Sequence, residues 1–93
     1  MHFVYIARCA DGTLYTGYAK EVDKRVAAHN DGKGAKYTAS RRPVRLVYQE
    51  PCDSRGAALK REYEIKSWSR ERKEALIAGG ESRLDDRPLD ANR

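Results

Sequence analysis

Ninety-three residues, 40% of them hydrophobic, with a formal charge of +5, describe one small domain built around one core. No apolar run approaches the roughly 20 residues of a membrane helix, no segment repeats at a fixed period, and the opening Met1–Tyr5 lacks the cationic stretch and apolar block of a signal peptide. The two cysteines, Cys9 and Cys52, have no CxxC spacing, which predicts free thiols, a cytoplasmic setting and no structural zinc.

Residues 2–9 are rich in β-branched and aromatic side chains, Asp11-Gly12 is a turn signal, and residues 14–19 form a second strand, so the chain opens on a β-hairpin. A two-residue turn would pair Cys9 with Leu14 and put Tyr5 and Tyr15 on opposite faces. A three-residue loop, Asp11–Thr13, pairs Ala10 with Leu14 and Cys9 with Tyr15. It gathers Leu14 with Val4 and Ile6, the better core, and leaves Tyr5 and Tyr15 on one face beside Ala7, Gly17 and Ala19. Val22, Val26 and Ala27 predict a helix over 21–29, stopped by Asn30-Asp31-Gly32. Residues 30–43 read as a long Gly/Lys/Arg loop ending at Pro43, and 44–49 as a third strand that Pro51 breaks. Asp53 or Ser54 caps a helix over 55–67; Ser69 caps another over 70–78, ended by Gly79-Gly80. The domain then spans 1–79, and the charged segment 80–93, with Pro88, predicts a disordered tail. The order ββαβαα is that of an α+β domain, a three-stranded antiparallel or mixed sheet flanked by helices.

Charge is concentrated. Lys33, Lys36, Arg41, Arg42 and Arg45 follow one another with no acid among them. Such a stripe suits a polyanion, and a solvated loop would use the same residues.

On a helical wheel of about 100° per residue, Ala58, Leu59 and Ile65 set an apolar stripe, with Glu62 inside it and Glu64 opposite. A core-facing carboxylate requires an ion pair, hydrogen bonds or a metal. Glu62 therefore needs a partner, whereas Glu64 is ordinary helix surface. Arg25 and His29, four residues apart, share a face bordering Val22 and Val26, where a cleft can form; a half-buried arginine beside a satisfied histidine is the plainer reading. Tyr5 and Tyr15 beside three small residues leave room for a ligand, and tyrosines also favour strands for their own sake.

These residues, in this order, resemble the GIY-YIG nuclease superfamily. The first signature stands as Phe3-Val4-Tyr5 and the second as Tyr15-Thr16-Gly17, both tyrosines and the last glycine being kept. Arg25 and His29 follow, then Gly32-Lys33-Gly34-Ala35-Lys36-Tyr37-Thr38, then the glutamate of Ala57-Ala58-Leu59-Lys60-Arg61-Glu62. The likeness covers about residues 2–78 and is greatest to the small single-domain bacterial branch, similar to the nuclease domain of structure-specific repair endonucleases. Several superfamily nucleases carry an asparagine downstream of the glutamate; here the one after Glu62 is Asn92.

The resemblance implies a divalent-metal-dependent nuclease hydrolysing DNA phosphodiester bonds, with Tyr5, Tyr15, Arg25, His29 and Glu62 as its catalytic residues. One Mg²⁺ or Mn²⁺ ion would sit on Glu62, and Arg25 would bind a phosphate oxygen. Tyr5 would be the general base, which requires a downward shift from a phenol's pKa of about 10; His29 is the rival. Tyr15 would orient the water or hydrogen-bond the phosphate. Lys33, Lys36, Arg41 and Arg42 would track the nucleic-acid backbone, with Tyr37 stacking on an unpaired base. A second recognition domain is not expected, which predicts weak sequence specificity, with single-stranded or branched DNA favoured, RNA as a further candidate, no membrane, and a monomer in solution. Two other readings stay open: a non-catalytic nucleic-acid-binding module that keeps the fold, and a protein-interaction domain that offers the basic loop to an acidic partner.

Overall fold

The computed structural model describes residues 1–84. Its elements in chain order are β1 (His2–Arg8), β2 (Leu14–Ala19), α1 (Val22–Asn30), α2 (Lys36–Ala39), β3 (Arg45–Cys52), α3 (Arg55–Lys66) and α4 (Arg70–Leu84). The sheet is antiparallel throughout, in the order β2-β1-β3, which makes the first strand the central one. The expected α+β class is what is found. No helix among the described residues is long and apolar enough to cross a membrane, and Cys9 and Cys52 are both free.

The hairpin pairs Arg8 with Leu14 and Ala7 with Tyr15, so its loop runs from Cys9 to Thr13 and is longer than expected. Cys9 N–H donates to Thr13 C=O at 2.8 Å and Gly12 N–H to Cys9 C=O at 2.9 Å, while the Asp11 carboxylate accepts from Thr13 N–H at 3.0 Å. The register differs from the expected one by an even number of residues, and side chains alternate. Face assignment therefore survives: Tyr5, Ala7, Tyr15, Gly17 and Ala19 lie on one side, Val4, Ile6 and Leu14 on the other.

Each face has its own core. Tyr5, Ala7, Cys9, Ala19 and Val44 pack with Val22 of α1, joined by Phe3, Tyr15, Val26 and Leu46. On the other face Val4, Ile6 and Tyr48 pack with Ala58 and Ile65 of α3, joined by Trp68 and by Leu76 and Ile77 of α4. One register shift between Ile6 and Ala7 makes Val47 the extra residue in β3 and lets that strand serve both cores.

Four expectations are corrected. The third strand runs through Pro51 to Cys52; it lies at a sheet edge, where a residue without an N–H leaves no ladder bond unmade. The segment 30–43 is not all loop, since α2 forms within it. Leu59 is 40% exposed, so the buried stripe of α3 is Ala58 and Ile65. The last helix continues past Gly79-Gly80 to Leu84. Two glycines weaken a helix by about 1 kcal/mol each relative to alanine, too little to end one held by tertiary contacts. Of the expected tail, residues 85–93, Asn92 included, lie outside the described residues. The capping expectations hold: Ser54 Oγ accepts from Ala57 N–H at 3.0 Å, and Ser69 Oγ from Arg72 N–H at 3.2 Å.

Candidate active site

Tyr5 stands on the central strand, fully buried, opposite Gly17 of β2. Its ring occupies the space where a side chain at Gly17 would be: a Cβ there would fall 2.6 Å from the hydroxyl oxygen. The pairing of a tyrosine with a glycine in the two signature segments thus has a packing cause, because any larger residue at position 17 would expel the phenol.

α1 brings His29 to the same place. The helix ends with Asp31 as C-cap and Gly32 at φ +80°, Gly32 N–H donating to His29 C=O at 3.0 Å and Lys33 N–H to Ala28 C=O at 2.9 Å. This left-handed turn sends residues 33–38 back over the imidazole. His29 is completely buried, with Nε2 2.8 Å from the Tyr5 hydroxyl and Nδ1 2.7 Å from Thr38 Oγ1. Gly34 lies directly against the ring, where a Cβ would come within 2.1 Å of Nδ1.

Tyr15 completes the aromatic part. Its ring centroid is 6.3 Å from Tyr5 and 5.0 Å from His29, edge-on to the latter. The Arg25 guanidinium faces Tyr5 and favours its phenolate, while the negative charge of Glu62, arriving from α3, opposes ionisation. Tyr5, Tyr15 and His29, drawn from β1, β2 and α1, are thus in mutual ring contact, and Arg25 of α1 and Glu62 of α3 lie near enough to act on the charge of the phenol.

The electrostatics differ from the sequence expectation at Tyr5. Burial, reinforced by Tyr15 and Glu62 and only partly offset by Arg25, pushes the Tyr5 phenol up to about 12 rather than down. Burial, aided by the Arg25 charge, pulls His29 below its ordinary value. The pair thus rests as neutral phenol and neutral imidazole, and the imidazole is the better-placed proton acceptor.

Glu62 has an ion pair, but to Lys66 one helical turn on, at 2.9 Å, rather than to an arginine. The Lys66 side chain is 51% exposed and that of Glu62 17%, so the pair opens to solvent mainly through the lysine and the carboxylate keeps a small exposed part. Among the described residues no three His, Cys, Asp or Glu side chains group together. One accessible hard-oxygen ligand fits an ion of the Mg²⁺ type, which keeps most of its coordination for water and substrate phosphate. The acid that is locked into the interior is Glu50, bonded to the Tyr48 hydroxyl and to Arg61 Nε at 2.8 Å; Glu64 pairs with Arg61 at the surface, as expected for that side of the helix.

The basic loop divides in two. Lys33 and Lys36 are exposed. The arginines are tethered: Arg41 donates to the Tyr37 carbonyl at 2.8 Å and to Asp11 at 3.2 Å, and Arg42 donates to the Ala39 carbonyl at 2.9 Å. Tyr37, expected as an open stacking platform, is stacked with Tyr15 at 6.1 Å and has the Arg41 guanidinium 4.0 Å over its ring. Sequence reasoning missed two features. Gly34, Ala35 and Thr38 build the seat of His29, and the repeated small residues in that quoted motif were the available signal. A shallow groove of about 550 Å³ is lined by Tyr18, Ala19 and Ala28 and rimmed by Lys20, Lys24, Arg25 and Glu21, with Glu21 paired to Lys24 at 3.1 Å.

Comparison with known proteins agrees with this fold. The GIY-YIG catalytic domain family matches residues 1–75. A UPF0213 protein of Staphylococcus saprophyticus is 61% identical over 79 residues, covering 85% of this chain and 96% of the relative. Another, from Staphylococcus aureus, is 63% identical over 76 residues, covering 82% and 93%. Among solved structures, the solution NMR structure of a UPF0213 protein from Bacillus halodurans superimposes with a TM-score of 0.56 at 43% identity, covering 98% of each chain. That of an E. faecalis protein does so with a TM-score of 0.60 at 34% identity, covering 98% of this chain and 94% of the other. With the family matched across the whole sheet and every site-bearing element, the chain belongs to the GIY-YIG family, in its small UPF0213 group.

Proposed function

We propose that the protein is a divalent-metal-dependent endonuclease that hydrolyses DNA phosphodiester bonds, with a preference for single-stranded or branched substrates and little sequence specificity. The observation that supports it most is the buried Tyr5–His29 hydrogen bond of 2.8 Å, with the Tyr15 ring beside it and the charges of Arg25 and Glu62 acting on the phenol. Binding alone requires no such pair, because backbone contacts are made by exposed cations.

In this reading Tyr5 removes the proton of the attacking water as it passes its own to His29 Nε2. The Arg25 guanidinium stabilises the phenolate in passing and binds a non-bridging phosphate oxygen through its planar donors. Tyr15, edge-on to His29, orients the nucleophile. Glu62 would hold one Mg²⁺ or Mn²⁺ ion, which when bound supplies Lewis-acid neutralisation of the developing phosphoryl charge. Loading would require Lys66 to move off Glu62, which a half-exposed lysine one turn away on the same helix can do.

Substrate preference follows from the walls. Lys33 and Lys36 are exposed point charges suited to phosphates, and Lys20 adds another at the rim of the groove where Lys24 is paired to Glu21. The Arg41–Tyr37–Tyr15 stack offers a guanidinium plane to an unpaired base. Among the described residues no element is shaped to enter a groove and read base edges.

The test is a cutting assay on labelled single-stranded, duplex and branched DNA and on RNA, with and without Mg²⁺ or Mn²⁺, comparing wild type with Glu62→Gln and Tyr5→Phe. Metal-dependent cutting by wild type is expected, with a loss of at least about 100-fold in each variant and retained binding. Full activity of Glu62→Gln would remove the metal role, and binding without cutting under every condition would favour the non-catalytic module.

A further inference from the structure

We infer that Thr38 is a positioning residue of the site: its hydroxyl holds His29 in the tautomer that carries its proton on Nδ1, leaving the Nε2 lone pair facing Tyr5. The inference rests on the proposed role of Tyr5 and His29 as the proton-handling pair, and it adds to that pair a residue outside the expected catalytic set.

Thr38 is completely buried on α2. Its hydroxyl donates to the Ala35 carbonyl at 2.9 Å, and its oxygen lies 2.7 Å from His29 Nδ1. A hydroxyl has one proton to give. With that proton directed at Ala35, a lone pair is what faces Nδ1, so Nδ1 is the protonated nitrogen. Nε2 then has a lone pair, and the Tyr5 O–H at 2.8 Å donates to it. The opposite tautomer also has a partner: Ala35 N–H approaches Nδ1 at 3.3 Å, longer than the usual 2.7–3.2 Å range. The Thr38 oxygen, at 2.7 Å and with its proton on the Ala35 carbonyl, is the closer of the two partners of Nδ1. Gly34 fixes the ring itself, since its backbone stands against the imidazole.

The choice of tautomer decides whether the pair can act. With Nε2 unprotonated, the Tyr5 O–H bond breaks as the Nε2–H bond forms, giving phenolate and imidazolium, and the positive charge spreads along Nδ1–H to Thr38 and the Ala35 carbonyl. With Nε2 protonated, His29 donates to Tyr5 and cannot accept from it. This is the function a carboxylate performs for many histidine bases, carried out here by a hydroxyl and a carbonyl in series.

Imidazole ¹⁵N chemical shifts of the metal-free protein, read in the neutral form, report the tautomer directly. Wild type and Thr38→Ser are expected to carry the proton on Nδ1. Thr38→Val, nearly isosteric, leaves Ala35 N–H as the partner of Nδ1, so the proton should move to Nε2. Its single-turnover cutting rate should fall about tenfold or more, with substrate Kd unchanged within about twofold, and Thr38→Ser should restore the rate. A wild-type proton on Nε2, or equal cutting by Thr38→Val and wild type, would overturn the inference. Should the valine variant not fold, the wild-type and serine spectra decide alone. A wild type that cuts no nucleic acid refutes the nuclease reading, while the spectra still judge the tautomer.

Discussion

At the scale of single residues, Tyr5 is held by exclusion as much as by bonding. Gly17 yields it space and His29 takes its hydroxyl. Gly17→Ala should therefore destabilise the fold by about 1–3 kcal/mol and abolish cutting, read by urea melts and the same nuclease assay. A second expectation concerns alkali. The folded phenol ionises at about 12, the unfolded one near 10, so the stabilisation is complete below pH 10 and is lost as pH rises from there toward 12. Stability should decline over that interval with an added slope of up to about 1.4 kcal/mol per pH unit that Tyr5→Phe removes; identical slopes in the two proteins would refute the assignment. The five candidate residues could be named from the sequence because chemistry-bearing side chains stand in a fixed order along the motif. Thr38 was not, since its role exists only once a four-residue helix, too short to show any periodicity, folds over the imidazole.

Elements were legible where period and capping agreed, as at Ser54 and α3. They were misread where punctuation was taken at face value: Pro51 is harmless because its strand lies at an edge, and Gly79-Gly80 because α4 is anchored elsewhere. That anchor is Arg8 of β1, which holds Glu74 through two bonds of 2.8 Å while Arg70 reaches the Gly12 carbonyl at 2.8 Å. The Arg8 guanidinium draws the Glu74 carboxyl down to about 2. The contribution is thus present above the ordinary carboxylate value of 4.5 and is lost as pH falls toward 2. Glu74→Gln should flatten the acid limb of the stability profile and lower the melting temperature at pH 7. The sheet offers a gain as well. Thr16 in β2 is buried, and its hydroxyl has no hydrogen-bond partner among the described residues. Thr16→Val should stabilise by about 1 kcal/mol, measured by chemical denaturation, because it removes a desolvated donor at nearly constant volume.

For the whole molecule, the net positive charge was visible at once, but its division of labour was not. Composition counts arginine and lysine alike, whereas in the fold Arg41 and Arg42 satisfy carbonyls and the lysines remain available to solvent. Replacing Lys33 and Lys36 together by alanine should weaken DNA binding and reduce the salt dependence of log Kd by about two; an unchanged slope would place the interface elsewhere. The strand order carries one last consequence. Because β1 has a neighbour on each side, its amides are shielded from both edges, and the phenol it carries sits in the part of the sheet that opens last. Deuterium should enter the backbone around Tyr5 only through complete unfolding, so heat should silence the protein and melt it in a single event, with no inactive folded species in between.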